Sequence, residues 1–520
     1  MCIRDRTIDI ERVTLRRWLL NQHNQPEKNG KGHGSHGGNA DGAVSGIVAL
    51  SALELSAAIK NRDVSCVEVM ASYLDRIDAV NPTYNAIVSL RNHDELMDEA
   101  ERKDAELAKG DYHGWMHGFP HAVKDLAAAR GLPMTEGSPL LKGTTAQHDE
   151  IFVARIKKAG AIIVGKTNTP EFGLGSQTYN TVFGTTVNAY DPELCAGGSS
   201  GGAAVALATR MLPVADGSDM MGSLRNPAAF NNVIGFRPSF GRVPCGPSPE
   251  IYFGQLGVEG PMGRNVKDTA MLLATMAGFD ARIPLSMKED PQPFSGSLQA
   301  DLQARKIAWL GDVSGYLTMQ PDILSLCETS LEHFENLGCI VEPVTIDHPM
   351  DKLWRTWLTL RHWLVAGSLG PLYGPIENRA KIKPEAIWEI ENGRGLTATD
   401  VYQASIDRSA WYQTVADLFN RYDYLMLPSA RVFPFDAGIH WPGEVAGKSM
   451  DTYHRWMEIT VPGSLTGCPI ANVPVGFNSR GLPMGMQIMG PATGDLKVLQ
   501  LAHAYDQASG WTKQVPLTNA

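Results

Sequence analysis

The sequence predicts an α/β fold, in which amphipathic helices alternate with short buried strands. Phe152, Val153 and Ile156 fall on one face of a predicted helix, and the apolar run at residues 161–164 that follows has the length of a buried strand. A helix followed by a short apolar run is typical of an α/β sheet. The composition, 43% apolar and 20% charged, is that of an ordinary globular protein.

A second helix is predicted upstream of this unit. Asp94 opens it, Leu96, Ala100 and Leu107 fall near one face, and Gly110 closes it with a residue that tolerates a left-handed conformation. No repeat of about 20 to 50 residues is present, so a solenoid or propeller is not expected.

The body of the chain changes composition along its length. Gly and Ser crowd residues 133–264, whereas eight of the 11 tryptophans lie between Trp309 and Trp456. We interpret residues 118–265 as the chemical core and residues 300–460 as cover and pocket wall. Residues 354–364 are expected to form one helix whose tryptophans mostly pack in the core, with one or two lining a pocket. Residues 424–429 are expected to form a strand, whose side chains either pack in the core or line the pocket.

Residues 1–46 are set apart from this body. The first six, MCIRDR, look like the translation of a sequencing adapter fused to a metagenomic reading frame. Residues 22–44 are rich in Gly, Asn and His and have almost no large apolar residue. We therefore expect an adapter-like scar and a flexible lead-in, followed by one folded domain over residues 47–515.

Charge and cysteine content exclude several classes of protein. The formal net charge of -10 offers no basic surface for nucleic acid. The sequence contains no run of about 18 apolar residues, so no membrane span is predicted. The seven cysteines are odd in number and contain no Cys-x-x-Cys pair, so we expect buried thiols of a reducing, cytoplasmic compartment. No cluster of His, Cys, Asp or Glu has metal-ligand spacing, so neither a metal nor a cofactor is expected.

The densest Gly/Ser segment is residues 197–202 (GGSSGG), which leads into the helix-forming run AAVALA at residues 203–208. A Gly-rich turn at a helix N-terminus can direct N–H groups toward an anion or a polarised oxygen. The segment is not a Walker loop, because no Gly-Lys-Ser/Thr follows. It matches a nucleophile elbow only weakly, because Tyr190-Asp191-Pro192-Glu193 stands where an apolar strand is required. A flexible connector is the alternative.

Two further segments carry groups suited to hydrolysis. A second turn-like segment, residues 217–228, places Ser223 after a glycine, and Lys124 ends an apolar run upstream. A lone lysine is usually a surface residue or, here, an ion-pair partner of Asp125. With Ser199 and Ser223, however, a buried lysine that loses its proton can act as the base of a Ser-Lys constellation.

Taken together, these segments resemble the amidase signature family over about residues 50–510. The motifs that carry the resemblance are GKTNTPEF at 165–172, GGSSGG at 197–202, IGFRP at 234–238 with GRV at 241–243, GPM at 260–262 and GMQIMGP at 485–491. The resemblance implies a single large domain in which a central mixed β-sheet is surrounded by α-helices. It also implies a Ser-Ser-Lys triad.

Residue by residue, the resemblance implies that Ser223 is the nucleophile and Lys124 the base. Ser199 would be the bridging serine, held by a cis peptide bond after Gly198. The side chains of Asp219 and Arg225 would support the loop of the nucleophile, or form a purely structural ion pair. The oxyanion hole would consist of the backbone N–H groups of Met220, Met221, Gly222 and Ser223.

The family usually has a glycine where Met221 stands. If that position needs a positive φ, methionine is strained there, and its side chain would narrow the pocket. This departure leaves a weakly active or non-catalytic homologue as one alternative.

The resemblance implies a hydrolase of amide C–N bonds that forms an acyl-enzyme and uses no cofactor. Its substrates would be neutral apolar or aryl amides, and carbamates (urethanes), and the enzyme would be a monomer or a homodimer. A second alternative is the subunit of a tRNA-dependent amidotransferase. Burial of Lys124 should lower its pKa, provided that Asp125 faces away from the amine.

Overall fold

The computed structural model describes residues 46–517, so the predicted lead-in lies almost wholly outside the described residues. The helices of this part are α1 (Ala52–Lys60), α2 (Cys66–Tyr84), α3 (His93–Ala108), α4 (Ile151–Lys158), α5 (Gly201–Ala208), α6 (Arg225–Phe230), α7 (Val266–Met276), α8 (Ile323–Asn336), α9 (Met350–Tyr373), α10 (Ile376–Arg379), α11 (Pro384–Arg394), α12 (Ala398–Phe419), α13 (Val461–Thr466) and α14 (Asp495–Ser509). None of these helices is long and apolar enough to cross a membrane.

The strands of the same part are β1 (Ile87–Val88), β2 (Pro120–Lys124), β3 (Ile162–Thr167), β4 (Tyr179–Asn180), β5 (Gly184–Thr185), β6 (Val214–Asp219), β7 (Ile234–Arg237), β8 (Val258–Gly263), β9 (Lys306–Trp309), β10 (Ile340–Pro343), β11 (Tyr424–Pro428), β12 (Glu444–Val445), β13 (Lys448–Ser449), β14 (Ile470–Phe477) and β15 (Pro483–Met489). Eight of them form the central sheet, in the order β10-β9-β11-β15-β14-β7-β8-β6.

The central sheet is mixed, as the family resemblance implies. β9 runs parallel to both β10 and β11, and every other neighbouring pair is antiparallel. All seven residues of β15 and all but the last of β14 are buried, which is typical of strands covered on both faces. The α/β fold with helices around a mixed sheet is therefore confirmed.

The local predictions agree with the structure, except that one helix begins one residue earlier than predicted. The helix predicted from Asp94 is α3, and its Leu96, Ala100 and Leu107 are buried. It begins at His93, because the side chain of Asn92 accepts the N–H group of Asp94 and so caps the helix. The unit predicted at residues 152–164 is α4 followed by β3, and residues 354–364 lie within α9.

A second sheet, of three strands, carries the lysine of the predicted triad. β3 lies between β1, to which it is antiparallel, and β2, to which it is parallel. Asp216 of β6 joins this sheet to the central one. Its carboxylate accepts hydrogen bonds from His121 Nε2, at 2.9 Å, and from the N–H group of Lys124, at 3.1 Å. The end of β2 is thereby held against β6.

The cysteines of the described residues are all free. Five of these six are buried as predicted, but Cys245 is exposed. The prediction that all are buried is therefore wrong for Cys245, which lies on a loop between β7 and β8 that local sequence does not distinguish from a buried segment.

Candidate active site

Lys124 is the last residue of β2, and its side chain is buried among hydroxyl groups. Only 1% of the residue is exposed. Nζ lies 2.8 Å from Ser199 Oγ, 2.8 Å from Ser200 Oγ and 2.9 Å from Ser218 Oγ. An ammonium has three donors, so all three can be satisfied here. A neutral amine donates only two and accepts one, so one of the hydroxyl groups must then donate to Nζ.

The hydroxyl of Ser200 is already held by backbone groups of Ser218. It donates to the carbonyl oxygen of Ser218 at 3.4 Å and accepts the N–H group of the same residue at 3.4 Å. Ser199 Oγ has no other hydrogen-bond partner than Lys124 within the described residues. The proton of Ser199 is therefore free to point at a neutral Lys124.

Asp125 faces away from Lys124. Its carboxylate accepts hydrogen bonds from Thr135 Oγ1 at 2.6 Å and lies 3.7 Å from Nζ of the buried Lys166. Burial lowers the pKa of Lys124 below its ordinary value, although the charges of Glu259, Asp216 and Asp219 oppose the shift. Asp125 is paired with Lys166, so it does not oppose the lowered pKa that was predicted for Lys124 on the condition that Asp125 faces away.

The Gly/Ser segment at residues 197–202 forms a tightly packed turn that enters α5. The peptide bond between Gly198 and Ser199 is cis. Ser176 Oγ donates to the carbonyl of Gly198 at 2.7 Å and accepts its N–H group at 3.0 Å. A Cβ atom on Gly202 would clash with the backbone nitrogen of Asn168, so that position has no room for a side chain.

Two N–H groups of the segment are bonded to carbonyl oxygens of the protein and so are not directed toward an anion. The N–H group of Ser200 donates to the carbonyl of Ser223 at 3.3 Å, and that of Gly202 to the carbonyl of Asn168 at 3.2 Å. Gly202 is required by the close approach of neighbouring backbone. The Ser200 bond also joins the turn directly to the loop that carries Ser223.

The loop of Ser223 follows β6 and is organised by Asp219. The carboxylate of Asp219 accepts the N–H groups of Gly222, at 2.8 Å, and Leu224, at 3.1 Å. Gly222 was expected to contribute to an oxyanion hole, but its N–H group is already bonded to Asp219. Within the described residues, the N–H groups of Met221 and Ser223 form no hydrogen bond. Ser223 itself is 6% exposed.

Met221 does not carry the strain that its substitution for glycine suggested. It is absent from the residues of positive φ in the described part of the chain, whereas the next residue, Gly222, has φ of 84°. The side chain of Met221 is buried and belongs to the apolar core. The left-handed position of the loop is thus occupied by a glycine after all.

Arg225, at the start of α6, forms a buried ion pair with Asp219. Its Nη2 lies 2.9 Å from Asp219 Oδ1, and its other donors reach Thr460, Ser464 and Gln487. Burial alone would raise the pKa of Asp219, but Arg225 and Arg237 outweigh it and hold that pKa well below its ordinary value. The carboxylate is therefore ionised, and the loop rests on a fixed charged pair.

Sequence reasoning missed Ser200, Ser218 and Asp216, which complete the surroundings of Lys124. Ser200 was visible beside Ser199 in the GGSSGG segment. Asp216 and Ser218 are two residues apart, a spacing that places both on one face of a strand. Had residues 214–219 been predicted as a strand, this face would have been a candidate for contact with β2.

A buried network on α9 also escaped prediction. Arg361 Nε lies 2.6 Å from Glu389 Oε1, its Nη2 donates to the hydroxyl of Tyr453 at 2.6 Å, and its Nη1 lies 3.4 Å from Met220 Sδ. A Cβ atom on Gly175 would lie 3.8 Å from the ring of Tyr453. The helix of the tryptophan-rich region therefore reaches the loop of Ser223.

One group of potential metal ligands occurs in the described residues, away from this site. The ligand atoms of Glu106, His113 and His117 lie within 4.8 Å of one another. However, Nδ1 of His117 accepts the N–H group of His113, Nε2 bonds to the carbonyl of Lys103, and Lys103 Nζ contacts Glu106. Because both nitrogens of His117 are used, the group does not fit a metal.

Comparisons with known proteins agree with this architecture. A family model described as Amidase matches residues 68–499. An acylamidase of Rhodococcus erythropolis is 31% identical over 474 residues, which cover 90% of this chain and 97% of that protein. A subunit of the glutamyl-tRNA(Gln) amidotransferase of Thermosynechococcus vestitus is 30% identical over 487 residues, covering 89% of this chain and 98% of that protein.

Among solved structures, a bacterial aryl acylamidase of the amidase signature enzymes matches with a TM-score of 0.84 and 30% identity. The match covers 89% of this chain and 97% of that one. The agreement extends over sequence, fold and nearly the full length of each relative. The chain therefore belongs to the amidase signature family and is a hydrolase that acts on carbon–nitrogen bonds.

Proposed function

We propose that the protein hydrolyses amide bonds of small, neutral substrates through an acyl-enzyme on Ser223, with Ser199 as proton relay and Lys124 as base. The observation that carries this proposal is the 2.8 Å hydrogen bond between Lys124 Nζ and Ser199 Oγ in a buried site. A buried lysine has a lowered pKa and so can be neutral at a pH where an exposed lysine is charged.

The reaction would proceed in two stages. Neutral Lys124 accepts the proton of Ser199, which takes that of Ser223 as its Oγ attacks the carbonyl carbon of the substrate. The proton then returns through Ser199 to the leaving nitrogen, and the C–N bond breaks. Water, activated by the same pair of residues, releases the acyl group from Ser223.

The tetrahedral oxyanion would be bound by backbone N–H groups of the loop after β6. We assign this role to Met220, Met221 and Ser223, and give Gly222 a supporting one because its N–H group binds Asp219. Removing a donor of this kind typically costs about 3 to 4 kcal/mol of transition-state stabilisation. Asp219 and Arg225 keep the loop in place through their buried ion pair.

Aromatic walls support neutral apolar or aryl substrates. A Cβ atom on Gly173 would lie 3.5 Å from Ser199 Oγ, and Gly175 borders the ring of Tyr453, so residues 173–175 separate the relay serine from an aromatic cluster. Trp388 and Trp441 pack against Tyr453 at centroid distances of 6.0 and 6.2 Å. Aryl amides, and carbamates with an apolar group, are the substrates that such walls favour.

The test is a substrate panel with a matched pair of variants. Purified enzyme is assayed with p-nitroanilides, primary amides and carbamates, alongside Ser223→Ala and the control Ser325→Ala on α8. We expect Ser223→Ala to lower kcat by several orders of magnitude with an unchanged circular dichroism spectrum, and the control to be unaffected. A Ser223→Ala enzyme with near wild-type turnover would exclude the assignment.

A second candidate is the amide-hydrolysing subunit of a tRNA-dependent amidotransferase. It is favoured by the 30% identity to a glutamyl-tRNA(Gln) amidotransferase subunit, over 98% of that protein. Such a protein would work in a stable complex, whereas a free amidase turns over simple amides alone. Affinity purification of the tagged chain from its native host distinguishes the two, because only the second candidate copurifies stoichiometric partner proteins.

A further inference from the structure

Glu259 lies beside the buried lysine of the site. It stands on β8 directly opposite Ser218 of β6 in the antiparallel register. Residues opposite one another in such a pair project side chains to the same face, with Cβ atoms about 4.5 to 5.5 Å apart. Ser218 uses this face to contact Lys124 Nζ at 2.9 Å. The half-buried carboxylate of Glu259 therefore faces the same end of Lys124.

The acidic residues around Lys124 differ in how their charge is compensated. Asp216 accepts hydrogen bonds from His121 and from the backbone of Lys124, and Asp219 is paired with two arginines. Within residues 46–517, Glu259 forms neither an ion pair nor a hydrogen bond with a protein donor. Lys124 is thus the cation to which the charge of Glu259 is most directly exposed.

The remaining groups near Glu259 are acidic or neutral. Glu150, at the start of α4, accepts the N–H group of Gly246 at 3.0 Å, and the thiol of Cys245 lies on the same loop. Burial and the charge of Glu150 raise the pKa of Glu259, while Lys124 lowers it. In turn, burial lowers the pKa of Lys124 and the Glu259 carboxylate raises it. Each of the two groups therefore favours the charged form of the other.

We propose that Glu259 is a positioning residue that acts through Lys124: its carboxylate stabilises the ammonium form in the resting site and so sets the pH at which the neutral base appears. The proposal rests on the assignment of Lys124, Ser199 and Ser223 made above. No bond is made or broken at Glu259 in this role. The proton that Lys124 loses on the way to the active form goes to solvent.

The experiment is the pH dependence of kcat/KM in Glu259→Gln, which keeps the shape of the side chain and removes its charge. We expect the acid-side midpoint to fall by about one pH unit, the scale expected for loss of one nearby, partly screened charge. Below both midpoints but above the pH at which Glu259 itself becomes protonated, kcat/KM should then rise about tenfold, while the high-pH plateau changes little. The exposed Glu193→Gln serves as the matched control and should follow the wild type.

A structural role would lower the plateau without moving the midpoint, so a midpoint that stays in place or rises overturns the proposal. If the glutamine variant does not fold, Glu259→Ala removes the same charge and carries the same expectation. The rate of fluorophosphonate labelling of Ser223 against pH gives a second readout that does not depend on the leaving group. Ser223→Ala is assayed in parallel. Activity in it would refute the triad, whereas an inactive Ser223→Ala with an unmoved Glu259→Gln midpoint would refute only the role of Glu259.

Discussion

Replacing Ser218 with alanine should lower the pKa of Lys124. The hydroxyl lies 2.9 Å from Nζ and is one of three that surround it. A hydrogen bond to a charged group contributes about 1.5 to 3 kcal/mol and a neutral one about 0.5 to 1.5 kcal/mol. The substitution therefore destabilises the ammonium by about 1 kcal/mol more than the neutral amine. At about 1.36 kcal/mol per unit, the pKa of Lys124 falls by about 0.7 unit.

The assay is kcat/KM for a p-nitroanilide between about pH 5 and about pH 10, a range that spans the lowered pKa of a buried lysine. The neutral amine is the active form, so its fraction at a given pH grows when the pKa falls, and the acid side of the profile moves to lower pH. Ser325→Ala, which removes a hydroxyl remote from the site, is the control. If the midpoint of Ser218→Ala stays with the control or moves upward, Ser218 does not stabilise the ammonium form in the working enzyme.

Other outcomes test the remaining parts of the site. Wild-type kcat/KM should rise with pH on the acid side and then level off, because only deprotonated Lys124 is a base. Lys124→Arg should be inactive at every pH, because guanidinium keeps its proton. Turnover near that of the wild type in Lys124→Arg would point to another base. Prolonged chelator treatment should leave the rate unchanged, and a loss restored by metal would contradict this. Arg225→Ala should lower the free energy of unfolding by about 3 to 5 kcal/mol, measured by urea denaturation, since it leaves the Asp219 carboxylate buried beside only one arginine. Because the folded pKa of Asp219 is depressed, its contribution is fully present above the ordinary carboxyl pKa of 3.8 and is lost as the pH falls below it, so the difference between variant and wild type should shrink there. A difference of less than about 1 kcal/mol at neutral pH would show that the pair is not required for the fold.

Local patterning was sufficient for a few of the helices and strands. The spacing of apolar residues predicts α3, α4 and β3. One face of each helix is buried, so apolar residues recur along it at the helical period. α3 begins one residue before the predicted Asp94, because Asn92 provides the N-cap. The tryptophan-rich stretch was predicted as a helix, and Trp354 and Trp357 are buried within it.

The segments that carry Lys124, Ser199 and Ser223 were also apparent in the sequence, and the structure adds what surrounds them. The direction of the Asp125 carboxylate depends on Thr135, in the segment after β2, and on Lys166, which the pairing of β2 with β3 brings to it. Two N–H groups of the GGSSGG turn, those of Ser200 and Gly202, are not available to an anion, because they bind carbonyl oxygens from other parts of the chain.

The sequence by itself determined the α/β class, a few of the helices and strands, and the short segments that carry the lysine and the two serines proposed for acyl transfer. Only the tertiary structure decided that Ser218 contacts Lys124, that Asp219 takes the N–H group of Gly222, and that Glu259 stands opposite Ser218. The physical reason is strand register. Side chains of a strand alternate between its two faces, so a shift of one residue between β6 and β8 would turn Glu259 to the opposite face, and no local pattern specifies that pairing.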